Sequence, residues 1–108
     1  MPEEDTKRVA HRALVDRVLN AAGRTSAEQR AQAFGNADMR PPLGTLISKV
    51  ATSPAQVTDA DFAAAKAAGF TEDQLFELVI AAAVGQSTRL YEAGLAALAE
   101  AAGQEEGR

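Results

Sequence analysis

The chain has 108 residues, a formal net charge of −4 at pH 7, one histidine and no cysteine, and this length is typical of a single domain. The missing cysteines exclude disulfides, thiolate nucleophiles and dithiol redox chemistry, and one imidazole cannot form a histidine metal site, so we expect neither a metal nor a cofactor. The acidic balance argues against a nucleic-acid partner.

Helical signals recur along the N-terminal third, and no segment alternates apolar and polar residues over a convincing length. A first helix is predicted over residues 5–22, with its apolar positions on one broad face and Gly23 at its end. Thr25 and Glu28 have the spacing of a capping box, which predicts a short second helix that ends near Phe34.

The middle of the chain contains a predicted loop and two further helices. Residues 35–42, GNADMRPP, combine glycine, asparagine and two prolines, a composition typical of a loop. A two-turn helix is predicted over residues 43–50. Thr58 is a good N-cap with Asp61 three positions later, and the helix that it starts is predicted to end at Gly69.

The C-terminal part is predicted to form two helices that meet at a corner. Thr71 and Gln74 form a capping box in front of LFELVIAAAV, which we expect to be the central helix of the core. Gly85 and the polar residues after it predict a break, followed by a helix over residues 87–102 that ends at Gly103. The sequence therefore predicts an all-α, compact bundle of about six helices.

The order of elements in VTDADFAAAKAAGFTEDQLFELVIAAAVGQSTRLYEAGLAAL, residues 57–98, resembles the carboxymuconolactone decarboxylase family. This all-helical superfamily includes the alkylhydroperoxidase D proteins. The likeness extends over residues 41–101 and lies in a short capped helix, a GFTEDQ turn, a buried helix, a glycine and an amphipathic helix. It implies an alkylhydroperoxidase D-like fold for one domain of residues 1–108 and assembly into a homo-oligomer.

The reactive groups that the resemblance implies are absent from this chain. Redox members use a glutamate in the buried helix, a Cys-x-x-Cys after the glycine and a histidine one turn later. With Gly85 as the anchor, this chain has Gln86 and Arg89 at the cysteine positions, Ala93 at the histidine position and Gln74 near the glutamate position. We therefore expect no peroxide reduction or disulfide exchange, and the acid–base histidine of the decarboxylase members is also missing.

The polar residues that remain near Gly85 define the candidate site. Exposed N–H groups at a helix start, together with an arginine, could hold a small carboxylate or phosphate. In the alternative interpretation, Ser87 or Thr88 is only an N-cap and Arg89 pairs with Glu92 on the surface. The residues predicted to bind substrate are Gln86, Ser87, Thr88 and Tyr91, and the candidate catalytic residues are Glu77, Arg89 and Glu92.

Glu77 is the one charged residue in the apolar segment, so it either lies at a solvated edge or is buried and paired. Twelve positions separate it from Arg89, which is about 18 Å along an unbroken helix. Contact between the two therefore requires a bend at Gly85 or a neighbouring subunit. Tyr91 is more typical of a core residue whose hydroxyl is solvated than of a catalytic acid, and His11 is predicted to lie on the surface.

The sequence is compatible with two functions. One is a non-catalytic binding or scaffolding homo-oligomer, which suits the 25 alanines because alanine-rich helices each bury little apolar area. The other is a cofactor-free enzyme that transfers a proton or decarboxylates a small carboxylic acid or lactone. The N-terminal MPEEDTKR has no apolar leader and no apolar run approaches about 20 residues, so we expect a cytoplasmic protein without a membrane partner.

Overall fold

The computed structural model describes the backbone of residues 2–106 and the side chains of residues 6–103. This range is helical and contains no strand, so the prediction of an all-α protein is confirmed. A short 3-10 turn at Pro54–Gln56 separates the third and fourth helices. The α-helices are α1 (Pro2–Asn20), α2 (Ala27–Phe34), α3 (Leu43–Thr52), α4 (Asp59–Ala67) and α5 (Glu72–Glu106).

The C-terminal third forms one helix of 35 residues rather than two helices. The predicted corner at Gly85 and the predicted helix end at Gly103 are both wrong, and residues 2–106 contain five α-helices instead of about six. One glycine inside a helix costs only about 0.5–1 kcal/mol relative to alanine. The alanines at positions 81–83, Arg89 and Leu90 after the glycine, and the packing of α2 outweigh that cost.

The buried core lies against the first half of α5. Leu75, Leu78 and Ala82 follow one another at helical spacing and are at most 1% exposed, so they form one apolar face. The helices α2, α3 and α4 cover this face, and the core residues that they contribute are Ala33, Leu43, Leu46, Ile47 and Ala65.

Helix α1 runs antiparallel to α5 and extends past the core. His11 contacts Thr88, whereas Val18, later in α1, lines a cavity with Ile80, which comes earlier in α5. A helix of 35 residues is about 52 Å long, and the longest dimension of the molecule is 59 Å. The second half of α5 therefore projects from the core with only α1 beside it.

The helix starts show which local predictions hold. Thr58 with Asp61, and Thr71 with Gln74, form the predicted reciprocal caps. The box predicted for Thr25 and Glu28 is wrong: Ser26 and Gln29 cap α2. Thr25 is unavailable because its hydroxyl donates to a carboxylate of α5.

Candidate functional site

Glu77 is bound to the linker between α1 and α2. The backbone N–H of Arg24 donates to both of its carboxylate oxygens, at 2.9 and 2.7 Å. The N–H and the hydroxyl of Thr25 donate to Oε1 at 2.9 and 2.8 Å. Burial raises the pKa of Glu77, but these hydrogen bonds and the charge of Arg30 outweigh it and hold the pKa below its ordinary value. A carboxylate stabilised in this way is a poor general base.

The linker packs closely on this carboxylate. A Cβ atom at Gly23 would lie 2.6 Å from Oε1 of Glu77 and 2.8 Å from Nη1 of Arg30, so alanine at this position would require these two side chains to shift. Arg30 is 7% exposed, and its Nε has no hydrogen-bond partner among the described residues. Glu77 therefore serves as the acceptor that holds the start of α2 against α5.

Arg89 holds the other end of α2. Its Nη1 donates to the carbonyl oxygen of Phe34, the last residue of α2, at 2.6 Å. Its Nε and Nη2 donate to Oε1 of Gln86 at 3.1 and 2.9 Å. A terminal helix carbonyl that would otherwise have no partner is thereby satisfied. Gln86 and Arg89 together cap α2, and Arg89 does not form the predicted ion pair with Glu92, which is exposed.

Thr88 connects α5 to α1 rather than starting a helix. Its hydroxyl donates to the carbonyl of Val84 at 2.8 Å. Because a hydroxyl has one hydrogen, the 3.1 Å contact with His11 is a donation from Nε2 of the imidazole to Thr88. The imidazole also packs on the ring of Tyr91, with 5.0 Å between centroids. The prediction of a surface histidine is wrong, since His11 is half-buried between the helices.

The sequence had no signal for this contact, because His11 and Thr88 are 77 positions apart and neither belongs to a motif. Together with Tyr91 and Glu92 they line an open groove of about 430 Å³ between α1 and α5. Arg8 and Arg12 enter the groove from α1, and the remaining lining residues are Val15 and Leu95.

The predicted site residues thus fall into separate places. Thr88, Tyr91 and Glu92 share the groove with α1, whereas Gln86 and Arg89 face the end of α2. Glu77 lies at the start of α2, about 18 Å from Arg89 along the continuous helix. The chain alone does not bring the three candidate catalytic residues together.

A further side of α5 is uncovered. Exposed residues follow one another along it at spacings of four and three, and we call this row the α5 stripe: Phe76, Ile80, Ala83, Ser87, Leu90, Gly94, Ala97 and Ala101. Phe76 is 65% exposed, Ile80 37% and Leu90 64%. Alternating steps of four and three are the heptad spacing at which two helices pack side by side. The sequence predicts an apolar face on the last helix, but only the structure shows that the chain leaves it exposed.

No protein-family model, no curated protein and no solved structure matches this chain. Within residues 2–106, no helix is both long and apolar enough to cross a lipid bilayer. The described side chains also contain no group of three or more histidine and acidic residues placed to hold a metal ion.

Proposed function

We propose that this protein is a non-catalytic scaffolding protein that self-associates through the α5 stripe. The observation that carries the proposal is the exposed row at heptad spacing, in which Ser87 is the one polar residue. Burying a side chain such as Phe76 or Leu90 contributes about 1.5–3 kcal/mol. The stripe contains no charged residue, so self-association buries no uncompensated charge along it.

The hydrogen bonds of Glu77 and Arg89 support a non-catalytic role. The Glu77 carboxylate is occupied by the linker before α2, and the Arg89 guanidinium is occupied by Phe34 and Gln86. A reaction that used both groups with Glu92 would first have to break the two contacts that hold α2. A scaffolding function does not require the hydrogen bonds of Glu77 and Arg89 to break, because all of them stay in place.

We also propose that the chain is a divergent relative of the carboxymuconolactone decarboxylase family with an alkylhydroperoxidase D-like ancestry. The cap of α4 by Thr58 and Asp61, and the Thr71–Gln74 cap that begins α5, support this. The continuous helix through Gly85 is where the chain departs from the pattern. On this proposal the chain has lost the reactive residues of the family and kept the assembly.

Self-association is tested by sedimentation equilibrium of the wild-type protein and of two charge variants. Leu90→Lys places a charge in the α5 stripe and is expected to give a folded monomer. Ala99→Lys adds the same charge to the opposite, exposed side of α5, and we expect it to stay oligomeric. Circular dichroism checks that both variants are helical. A wild-type protein that is monomeric at about 100 μM, a concentration far above typical specific affinities, would overturn the proposal.

A further inference from the structure

Gly94 has no role within the chain that the structure describes. A Cβ atom at Gly85 would overlap the carbonyl group of Phe34, so glycine is required there. A Cβ atom at Gly94 would meet nothing within 4 Å. Glycine inside a helix lowers its stability relative to alanine. Gly103 is equally open but lies outside the α5 stripe, whereas the glycine at position 94 lies within the stripe and leaves room there for a second backbone to approach closely.

We infer that the α5 helices of two copies pack antiparallel, with the two-fold axis between Ser87 and Leu90. This inference rests on the proposed self-association and specifies its geometry. The spacings between stripe residues are four, three, four, three, four, three and four, a series that is the same from either end. Two copies of the α5 stripe can therefore pack in opposite directions with their residues in register. The pairs that result are Phe76 with Ala101, Ile80 with Ala97, Ala83 with Gly94, and Ser87 with Leu90.

Side-chain size selects this orientation. In the antiparallel arrangement each large residue of the first half faces a small one, since Phe76 meets Ala101 and Ile80 meets Ala97. Gly94 faces Ala83, so the helices can approach to about 8 Å. In a parallel pair Phe76 would face Phe76 and Gly94 would face Gly94, which leaves crowding at one end and a void at the other.

The surroundings of Phe76 can also accommodate the part of a second α5 helix whose stripe residues are small. One groove of about 500 Å³ lies between Phe76 and α4, and another of about 180 Å³ lies between Phe76 and the end of α1. Apolar residues line part of each groove, Leu75 and Val79 in the first and Val18 and Ile80 in the second, and charged residues line them as well: Asp59, Lys66 and Glu72 in the first, Arg17, Arg30 and Glu77 in the second. The last two residues of the α5 stripe, Ala97 and Ala101, are small, so Ala101 of the second copy can lie over Phe76 between the two grooves and Ala97 over Ile80.

The area available is sufficient for a stable dimer. From Phe76 to Ala101 the stripe is about 38 Å long. Arg17 and Ala21 border the cavity that contains Ile80, and Leu14, which is 45% exposed, lies two turns before Ala21 on the same side of α1. With α1 included, the surface is about 18 Å wide. Two copies would bury roughly 1,400 Å², within the range of specific interfaces.

Disulfide trapping tests the orientation, because the natural chain has no cysteine. Phe76→Cys and Ala101→Cys proteins are mixed under reducing conditions, allowed to exchange subunits and then oxidised. We expect cross-linked heterodimers from the mixture and no cross-link from either variant alone, since each residue lies about 38 Å from its own copy. Cross-linking of Phe76→Cys with itself would overturn the antiparallel arrangement and leave self-association standing, whereas a monomeric wild-type protein would remove both.

Gly94→Leu provides a second measurement that does not depend on cysteine chemistry. Within the monomer the added side chain enters open space, so the variant should fold and be at least as helical. Across the dimer it meets Ala83, and we expect the dissociation constant to rise at least tenfold. Gly103→Leu, in open space but outside the stripe, is the matched control and should leave the constant unchanged. Equal affinity of Gly94→Leu and wild type would overturn the inferred contact.

Discussion

Gly85 and Gly94, two of the three glycines of α5, have opposite surroundings, although the sequence alone does not distinguish them. Gly85 is buried where the backbone of Phe34 crosses α5, and Gly94 is exposed. Arg89, one turn after Gly85, donates to the same Phe34 carbonyl that a Cβ at position 85 would displace. Gly85 and Arg89 therefore act as one unit, in which the glycine provides room for the helix end that the arginine caps.

We expect Gly85→Ala to lower the free energy of unfolding by about 1–3 kcal/mol, the usual cost of overpacking, even though alanine is the better helix former. The new methyl group would push α2 away from α5 and lengthen the Arg89 hydrogen bond. Urea denaturation measures the change. Gly103→Ala adds a methyl group to the same helix in open space, so it should be neutral or slightly stabilising. Equal stabilities of the two variants would contradict the close approach at Phe34.

At the scale of the elements, α5 holds α2 at both ends. The Glu77 carboxylate binds the backbone just before α2, and Arg89 binds the carbonyl of its last residue. The α5 segment between the two anchors is about 18 Å long, close to the length of α2 with its preceding turn. Such a helix of 8 residues is too short to be stable alone, so its position depends on these contacts and on the burial of Ala33.

The hydrogen bonds that the linker before α2 donates to the Glu77 carboxylate should make the free energy of unfolding depend on pH. The pKa of Glu77 is lowered in the folded protein relative to the ordinary value of 4.5. The stabilisation is therefore fully present above about pH 4.5 and is lost as the pH falls through the lower, folded pKa. We expect Glu77→Gln to be less stable than wild type by about 1–2 kcal/mol at pH 7, and the difference to shrink steadily below pH 4.5.

Urea denaturation at several pH values between 7 and 2.5 tests this dependence. Asp61 also has a lowered pKa, caused first by the hydrogen bond from the backbone of Thr58 and then by Lys49. Both proteins share that contribution, so it cancels in their difference. Glu92→Gln removes an exposed carboxylate from the same helix and should follow the wild-type curve. A difference between Glu77→Gln and wild type that stays constant down to pH 2.5 would show that the charge of Glu77 is not what holds the linker.

At the scale of the whole molecule, the features that could be predicted from the sequence are those that depend on residues close together in the chain. The all-α class and the caps at Thr58 and Thr71 follow from spacings of three or four residues, and the structure confirms them. The continuity of α5 could not be predicted, because the cost of one glycine is about 1 kcal/mol and tertiary packing decides the outcome. The anchors of α2 and the His11–Thr88 contact join residues 50 or more positions apart. Local sequence patterns do not predict contacts between residues so far apart in the chain.

The uneven distribution of the core has a consequence for thermal stability. The buried residues lie against the first half of α5, whereas the second half is paired only with α1 and exposes Leu90 and Leu98 at 64% and 69%. If two copies cover the α5 stripe, unfolding also separates them, and the melting temperature must rise with protein concentration. For a chain of this size we expect a rise of about 5–10 °C over a hundredfold increase in concentration. Circular dichroism melts of the wild type at the two concentrations measure this rise. The Leu90→Lys monomer should melt at the same temperature at both concentrations. A wild-type melting temperature that does not change with concentration would mean that the exposed face of α5 contributes nothing to the stability of the fold.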